Sequence, residues 1–336
     1  MGLIQRDVSL KRYNSFGIEH KASFFSMIEN PSELPKIIQQ NKTNGVIILG
    51  GGSNILLTND LEDKLVIYMA NKGIEIVAKN KKNVELEVQG GEKWHDLVLW
   101  SLERNFGGLE NLALIPGQVG AAPIQNIGAY GVELKRVFLS CKAYDLKNHR
   151  IVKFDKEDCR FEYRNSIFKA EKKNRFVILS VRLILNLLPY HQIECSYGSI
   201  KSELNNQDPT IHSVAKAVIA IRSRKLPDPE KIGNAGSFFK NPVVPEQKFL
   251  ELSSKYPKIP FYDDPRGIKI PAAWLIEKAG LKGYKKQDAG VHRNQALVLV
   301  NYGNASGREI LELAQKIKQK IHDLFGISLK EEVQVL

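Results

Sequence analysis

Apolar residues recur at helical spacing most clearly in SGREILELAQKIKQKIHDLFG, residues 306–326, where Ile310, Leu313, Ala314, Ile317 and Ile321 share one face. Ser306 and Glu309 have the spacing of a capping box, and Gly326 suits a helix end. Further helices are predicted over PSELPKIIQQN (31–41), EKWHDLVLWSLERN (92–105) and HSVAKAVIAIRSRK (212–225), the last of which opens a third region that includes AAWLIEKAGLKGY (272–284). In the first of these Pro35 is tolerated because it sits in the opening turn. VIILG (46–50) reads as a buried strand. IEIVA and VELEVQGG alternate about the polar KNKKN and predict a hairpin over 74–91. Strands are also predicted at FLSCKAYDL, RIVKF, RFVILSVRLIL, ALVLVN and the terminal ISLKEEVQVL. Many strands and few helices over residues 75–190 make the chain α+β.

A length of 336 residues allows one to three domains, and 43% hydrophobic with 26% charged residues is ordinary for a globular protein. No run reaches the ~18 apolar residues of a membrane span, and the N-terminus lacks the apolar core of a secretory signal, so a cytoplasmic protein is expected. Cys141, Cys159 and Cys195 form no close pair in sequence and argue against a disulfide framework. No CxxC, HxxxH or HExxH motif supports a metal site. The net charge of +12 comes from dispersed lysines. Solvated faces account for it first, an anionic small molecule second and nucleic acid last.

Two glycine-rich stretches suit backbone contact with a ligand. Gly50, Gly51, Gly52, Ser53 and Asn54 follow a predicted strand, which fits a pyrophosphate loop and a plain turn equally. The pattern is neither a P-loop nor a dinucleotide GxGxxG. The second, IPGQVGAAPIQNIGAYG (115–131), buries little side-chain volume and can lie against a flat ring; a long irregular connection is the plainer reading. In GNAGSFFKNP (233–242), Ser237 marks either a turn into a buried strand or a hydroxyl held in a dry site.

NSFGIEHKA, LGGGSN, GLENLALIPGQVGAAPIQNIGAYG, CRFEYRNSIFK, KLPDP, GNAGSFFKNP, AAWLIEKAGLKG, VHRNQALVLVN and EEVQVL occur in this order from about Asn14 to the C-terminus. Jointly they resemble the UDP-N-acetylenolpyruvoylglucosamine reductase (MurB) family. That resemblance implies a two-part FAD-binding module of the vanillyl-alcohol-oxidase (PCMH) type with a third α/β domain that binds substrate. The expected divisions are 1–73, with 327–336 returning to it, then 74–212, and 213–326. It further implies reduction of UDP-N-acetyl-3-O-(1-carboxyvinyl)-glucosamine to UDP-N-acetylmuramate for peptidoglycan synthesis. NADPH reduces the flavin and leaves before the sugar nucleotide enters. Hydride from flavin N5 adds to the β-carbon, and a proton reaches the α-carbon.

The family's roles carry over onto matching positions. Gly50 to Asn54 line the FAD pyrophosphate. Ile115, Pro116, Gly117, Gly120, Ala121, Ala122, Gln125, Asn126, Gly128, Ala129 and Tyr130 run along the flavin and its phosphates. Ser237 matches the proton donor, a poor acid in water that serves a more basic carbanionic centre once it is held in place. Arg164 matches the group that polarises the substrate carboxylate, where a fixed guanidinium suits growing charge; a surface ion pair is its plainer reading. Glu332 matches an acid near the α-carbon, with Glu331 on the opposite face if the strand alternates. Tyr163, Tyr197, Lys225, Asn241, Lys269 and Gln295 match substrate positions, and SYGS around Tyr197 resembles the subclass whose tyrosine loop folds over the substrate. Gln118, Ala121–Ala122 and Glu162 depart from common family residues, so hydrogen bonds to the flavin phosphates would come from backbone. The partner expected is a UDP-sugar bound by a monomer, with neither nucleic acid nor membrane. The competing functions are another PCMH-type oxidase and a non-catalytic nucleotide-binding protein.

Overall fold

Leu65, Val66 and Ile67 stand side by side with no exposure, the mark of a strand covered on both faces. The strand they belong to, Leu61–Met69, pairs in parallel with Lys21–Ile28 on one side and with Val46–Leu49 on the other. Gln5–Ser9 completes this four-stranded sheet. Val46–Leu49 is an edge strand, so only Leu49 is fully buried and the expectation of a buried VIIL strand is corrected. The computed structural model describes residues 4–41, 43–205 and 207–336. Residues 1–3, Lys42 and Asn206, within the predicted 1–73 and 74–212 regions, lie outside the described residues.

The contacts divide the chain into two units. One comprises residues up to Val8, Ala22–Gly51 and Leu61–Arg224; the other comprises Ser9–Lys21, Gly52–Asp60 and Lys225–Leu336. The first unit also holds an antiparallel sheet in the order Arg150–Asp155, Phe138–Asp145, Phe176–Asn186, Asn83–Gln89, Ile74–Lys79. The last two strands are the predicted hairpin. Val84, Leu86 and Val88 are buried and alternate with Glu85 and Glu87, as period-two patterning requires. Helix α1 (Leu34–Gln40) packs Leu34 and Ile37 with Leu65, Ile67, Tyr144 and Val177, which ties the unit's two sheets into one cluster. Helices α2 (Trp94–Glu103), α3 (Gly198–Leu204) and α4 (Ile211–Lys225) close over the second sheet through Leu97, Ile200, Val214 and Val218.

Asp145 anchors the end of its strand. Its buried carboxylate accepts from Arg175 Nη2 at 2.7 Å, Arg175 Nε at 3.1 Å and the Lys147 N–H at 2.9 Å, bonds that hold it far below the usual carboxylate range. Folding brings the Cys141 and Cys159 thiols into hydrogen-bonding contact inside the core, a pairing that their spacing in sequence conceals. Both are free thiols, and the hydrogen bond to Cys159, with burial, pushes the Cys141 thiol up.

In the second unit, Gly233–Ser237, Val298–Asn301, Ala289–Val291 and Lys285–Lys286 form one sheet, and Val243–Val244, Gly267–Lys269 and Tyr262–Asp264 form another. Helices α5 (Glu246–Lys255), α6 (Ala272–Lys278) and α7 (Gly307–Phe325) belong to it. α7 carries the predicted capping box, buries the whole predicted stripe and ends on Gly326 at φ 65°. The predicted terminal strand contracts to Gln334–Val335, paired in parallel with Ile55–Leu56. Upstream, Lys330 O accepts from Lys240 N–H and the Glu332 N–H donates to Phe238 O. The segment divides its bonds between two partners, so no continuous ladder forms. Among the described residues no helix is long and apolar enough to cross a membrane, and no cluster of His, Cys, Asp or Glu could hold a metal.

Candidate flavin and proton-transfer sites

Gly50 and Gly51 meet the second glycine-rich stretch in the first unit, whereas Gly52, Ser53 and Asn54 belong to the second unit. A Cβ on Gly51 would lie 3.0 Å from the Gly117 Cα, and one on Gly50 would lie 3.2 Å from Gln118 Oε1. Gly120 is as closely held, 3.0 Å from Ile178 O and 3.1 Å from Gly90 Cα by the same measure. Backbone approach at Gly51 and Gly120, and the Gln118 side chain at Gly50, therefore favour glycine there, quite apart from any ligand. Gln118, noted as a departure, is buried and donates to Met69 O at 2.9 Å and Tyr68 Oη at 3.2 Å, fastening the loop to Leu61–Met69.

Residues 115–130 are compact where the sequence suggests a long irregular connection. A 3₁₀ helix spans Val119–Gln125, and Gly128–Ala129 pairs with Val132–Glu133. Leu114, Asn126 and Tyr130 hold φ values of 58°, 45° and 49°, a region costly for side chains such as Leu and Tyr. Asn126 is fully buried and its Nδ2 donates to Glu133 Oε2 and Glu162 O. Gln125 Oε1 accepts from Lys169 Nζ at 2.9 Å. Strain of this kind survives only where surroundings fix it, and here it gathers along the predicted flavin segment.

Arg164 sits at φ 53° in a tight turn closed by reciprocal backbone bonds between Glu162 and Asn165. Its Nη2 donates to Gly128 O at 2.6 Å, and its guanidinium lies 5.6 Å from the Tyr163 ring centroid. The structure thus joins Arg164 to the segment containing Tyr130. Tyr197, 43% exposed, caps the start of α3 with its ring 5.5 Å from that of Tyr130, edge to face.

Arg222, absent from the sequence-based set, lies beside them. It hydrogen-bonds Tyr130, feels the charge of Arg164, and its Nε is buried with no partner among the described residues. Burial is the main cause lowering its pKa, and burial likewise raises that of Tyr130. Within IRSRK this arginine reads as part of a solvated basic helix end, so only its packing singles it out. Asn111 is a second omission: its Nδ2 donates to Tyr130 O and Glu194 O.

In the second unit, Gly236 at φ 69° lets the Gly233–Ser237 strand bulge between Asn234 and Ser237. Bulges re-aim side chains. Ser237 pairs with Val298 and is half-buried, while Phe238 and Phe239 behind it have no exposure. The Glu332 N–H donates to Phe238 O at 2.8 Å, and Asn54 Nδ2 donates to Glu332 O at 3.3 Å. Phe238, the residue after Ser237, is thereby linked through Glu332 to Asn54. Glu331 instead holds Lys318 of α7 at 2.8 Å. Asn241 and Lys269 are neighbours: Val243 pairs with Lys269, and Asn241 Oδ1 accepts from the Ala272 N–H at 2.9 Å. Lys269 also lies 3.4 Å from Asp264, whose carboxyl Arg266 holds down at about 2. The Gln295 carbonyl accepts from the N–H of Val298, the strand partner of Ser237. Lys225 is exposed at the end of α4.

The model for the C-terminal domain of UDP-N-acetylenolpyruvoylglucosamine reductase matches residues 228–336, and that for an FAD binding domain matches residues 22–155. The chain is 50% identical to the UDP-N-acetylenolpyruvoylglucosamine reductase of Flavobacterium johnsoniae, with 99% of each chain covered. It is 46% identical to the reductase of the same name from Pseudomonas fluorescens, over 98% of each. The crystal structure of that reductase (MurB) from Thermus caldophilus shares the fold, with a TM-score of 0.72 at 22% identity over 100% of this chain and 99% of that one. The α+β class and the FAD-binding module expected from the sequence are therefore present. With half its residues identical across the full length of a named relative, the chain belongs to the UDP-N-acetylenolpyruvoylglucosamine reductase family.

Proposed function

We propose that this protein binds FAD in a PCMH-type module and uses NADPH to reduce UDP-N-acetyl-3-O-(1-carboxyvinyl)-glucosamine to UDP-N-acetylmuramate. The observation that carries the reading is the bulged strand that ends at Ser237, whose next residue, Phe238, accepts from the Glu332 N–H. The buried Phe238 and Phe239 that follow Ser237 keep its backbone in place, and its hydroxyl is assigned to proton delivery.

The residues of the first unit fit FAD. Close packing brings the backbone of Gly51 against Gly117 and anchors Val119, Gly120 and Ala121 through N–H bonds to Glu92 O, Gly90 O and Gln118 O, which pre-sets the path along which FAD would lie. FAD, when bound, would take reducing equivalents from NADPH and supply hydride to the substrate β-carbon. Arg164 is assigned to the carboxylate, whose charge grows as the enolate forms; its bond to Gly128 O holds it at low reorganisation cost. Ser237 is assigned the proton for the α-carbon, and Glu332 support of that transfer. Lys225, Asn241, Lys269 and Gln295 are assigned to the UDP-sugar, where lysines suit the diphosphate. Tyr163 shapes the pocket, and Tyr197 belongs to a loop that closes over substrate. The two subdomains of the FAD module are taken to be the two sheets of the first unit. The protein is proposed to act in the cytoplasm as a monomer without nucleic acid; much of its positive charge is spent on local pairs such as Lys142–Glu87 and Lys318–Glu331.

Arg222 supplies a second fixed cation. Its unpaired buried Nε lacks only an anion from cofactor or substrate. Arg222→Met should raise the melting temperature of the apoprotein by about 2–5 °C, because an uncompensated buried charge is removed. The same change should weaken FAD or substrate binding by roughly tenfold or more. Thermal melts and titrations on one preparation check both halves.

The function is tested by turnover with NADPH and the enolpyruvyl sugar. The product's mass should exceed that of the substrate by one hydride and one proton, with NADPH consumed in equal amount. NADPH consumption that needs oxygen and leaves the sugar unchanged would point to an oxidase instead.

A further inference from the structure

Helix α2 is laced to the chain that enters the glycine-rich segment. Trp94 Nε1 donates to Leu112 O at 3.0 Å, and the Trp94 N–H donates to Gly117 O at 3.0 Å. Between these two bonds, the Leu114 N–H donates to His95 Nδ1, also at 3.0 Å. Leu114 is the residue with φ 58°, immediately before Ile115. A leucine does not hold that conformation unaided. The imidazole accepts this bond only when neutral, with its proton on Nε2.

We propose that His95 is a positioning residue for flavin binding: its neutral Nδ1 holds Leu114 in the left-handed turn that sets the path of residues 115–130. The inference rests on the reading above that this segment lies along FAD. Its second consequence is a pH dependence. The groups acting on His95 are Asp96 on its own helix, which favours protonation, and Arg222 on α4, which opposes it. Burial is the larger effect and, with Arg222, places its pKa below the ordinary histidine value. The acceptor is thus intact at neutral pH and is lost as pH falls through that lowered pKa, so FAD affinity should fall in the same direction.

The test measures the FAD dissociation constant of apoprotein by flavin fluorescence between about pH 5 and 8. His95→Leu removes the acceptor and should weaken FAD roughly tenfold at neutral pH. His95→Asn keeps an acceptor at the Nδ1 position without a titrating ring. It should bind within about threefold of the unsubstituted protein and lose the acid limb. Leu114→Gly relieves the strain that His95 sustains, so adding it to His95→Leu should restore most of the lost affinity. Melting curves without FAD verify that each variant folds. Hydrogen exchange gives a second readout: protection of the Leu114 amide should be lost in His95→Leu and kept in His95→Asn. Equal FAD binding by the unsubstituted protein and His95→Leu overturns the inference, as does an equal loss in the Leu114→Gly background. Absence of FAD binding by the unsubstituted protein would instead overturn the functional reading itself.

Discussion

Ser237→Ala should slow the reoxidation of reduced flavin by the enolpyruvyl substrate by about 10³-fold while reduction by NADPH proceeds at its normal rate. The split follows from where the proton is needed. Flavin reduction calls on no proton from Ser237, whereas the enolate must be protonated on carbon before product leaves. Alanine fits the site: the residue is half-buried, its backbone stays paired with Val298, and Phe238 and Phe239 keep their packing. Single-turnover measurements of each half-reaction separate the two rates. Equal slowing of both, or of neither, would remove Ser237 from proton transfer.

Gly52→Ala should be the most damaging small substitution in the glycine loop. Its Cβ would lie 1.9 Å from Tyr13 O and 2.7 Å from the Tyr13 carbonyl carbon, at φ 60°. The obstacle is backbone, itself fixed by the Ser15 N–H donating to Gly52 O at 3.1 Å. Left-handed strain costs about 1–2 kcal/mol, and forcing the two segments apart adds about 1–3 kcal/mol. The sum is a large part of the ~5–15 kcal/mol that holds a domain folded. Gly17→Ala is the control, since φ is 65° there but nothing lies within 4 Å of the new Cβ. It should cost only about 1–2 kcal/mol. Urea denaturation of the two variants should show this difference, and Gly52→Ala should also lose FAD affinity.

What the sequence discloses depends on how local the cause is. The α7 helix is legible because its cap, stripe and C-terminal glycine are all set by neighbours within a turn or two. The hairpin at 74–89 is legible for the same reason. The last strand is not, because its bonds go to Phe238, Lys240 and Asn54, far away in sequence. The edge position of Val46–Leu49 is a fact of sheet order that its four apolar residues cannot express. Among site residues, Ser237, Arg164 and Glu332 were found through family resemblance; their local sequence suits a strand, a surface pair and a solvated tail equally. The structure then supplies physical context for each: a bulge, a bond to Gly128 O, and a bond to Phe238 O. Arg222 and His95 stayed hidden. A basic residue in an amphipathic helix and a histidine beside a tryptophan carry no mark of the buried contacts that folding gives them. The left-handed leucine at 114 leaves no trace in composition at all.

One flavin, held by this chain, is proposed to pass electrons from NADPH to an enolpyruvyl UDP-sugar. The most direct test is an anaerobic absorbance titration of the FAD-loaded protein. NADPH should bleach the flavin band and the enolpyruvyl sugar should restore it, mole for mole, with UDP-N-acetylmuramate formed. Protein that holds no flavin, or a bleached flavin that only oxygen recolours, would contradict this transfer.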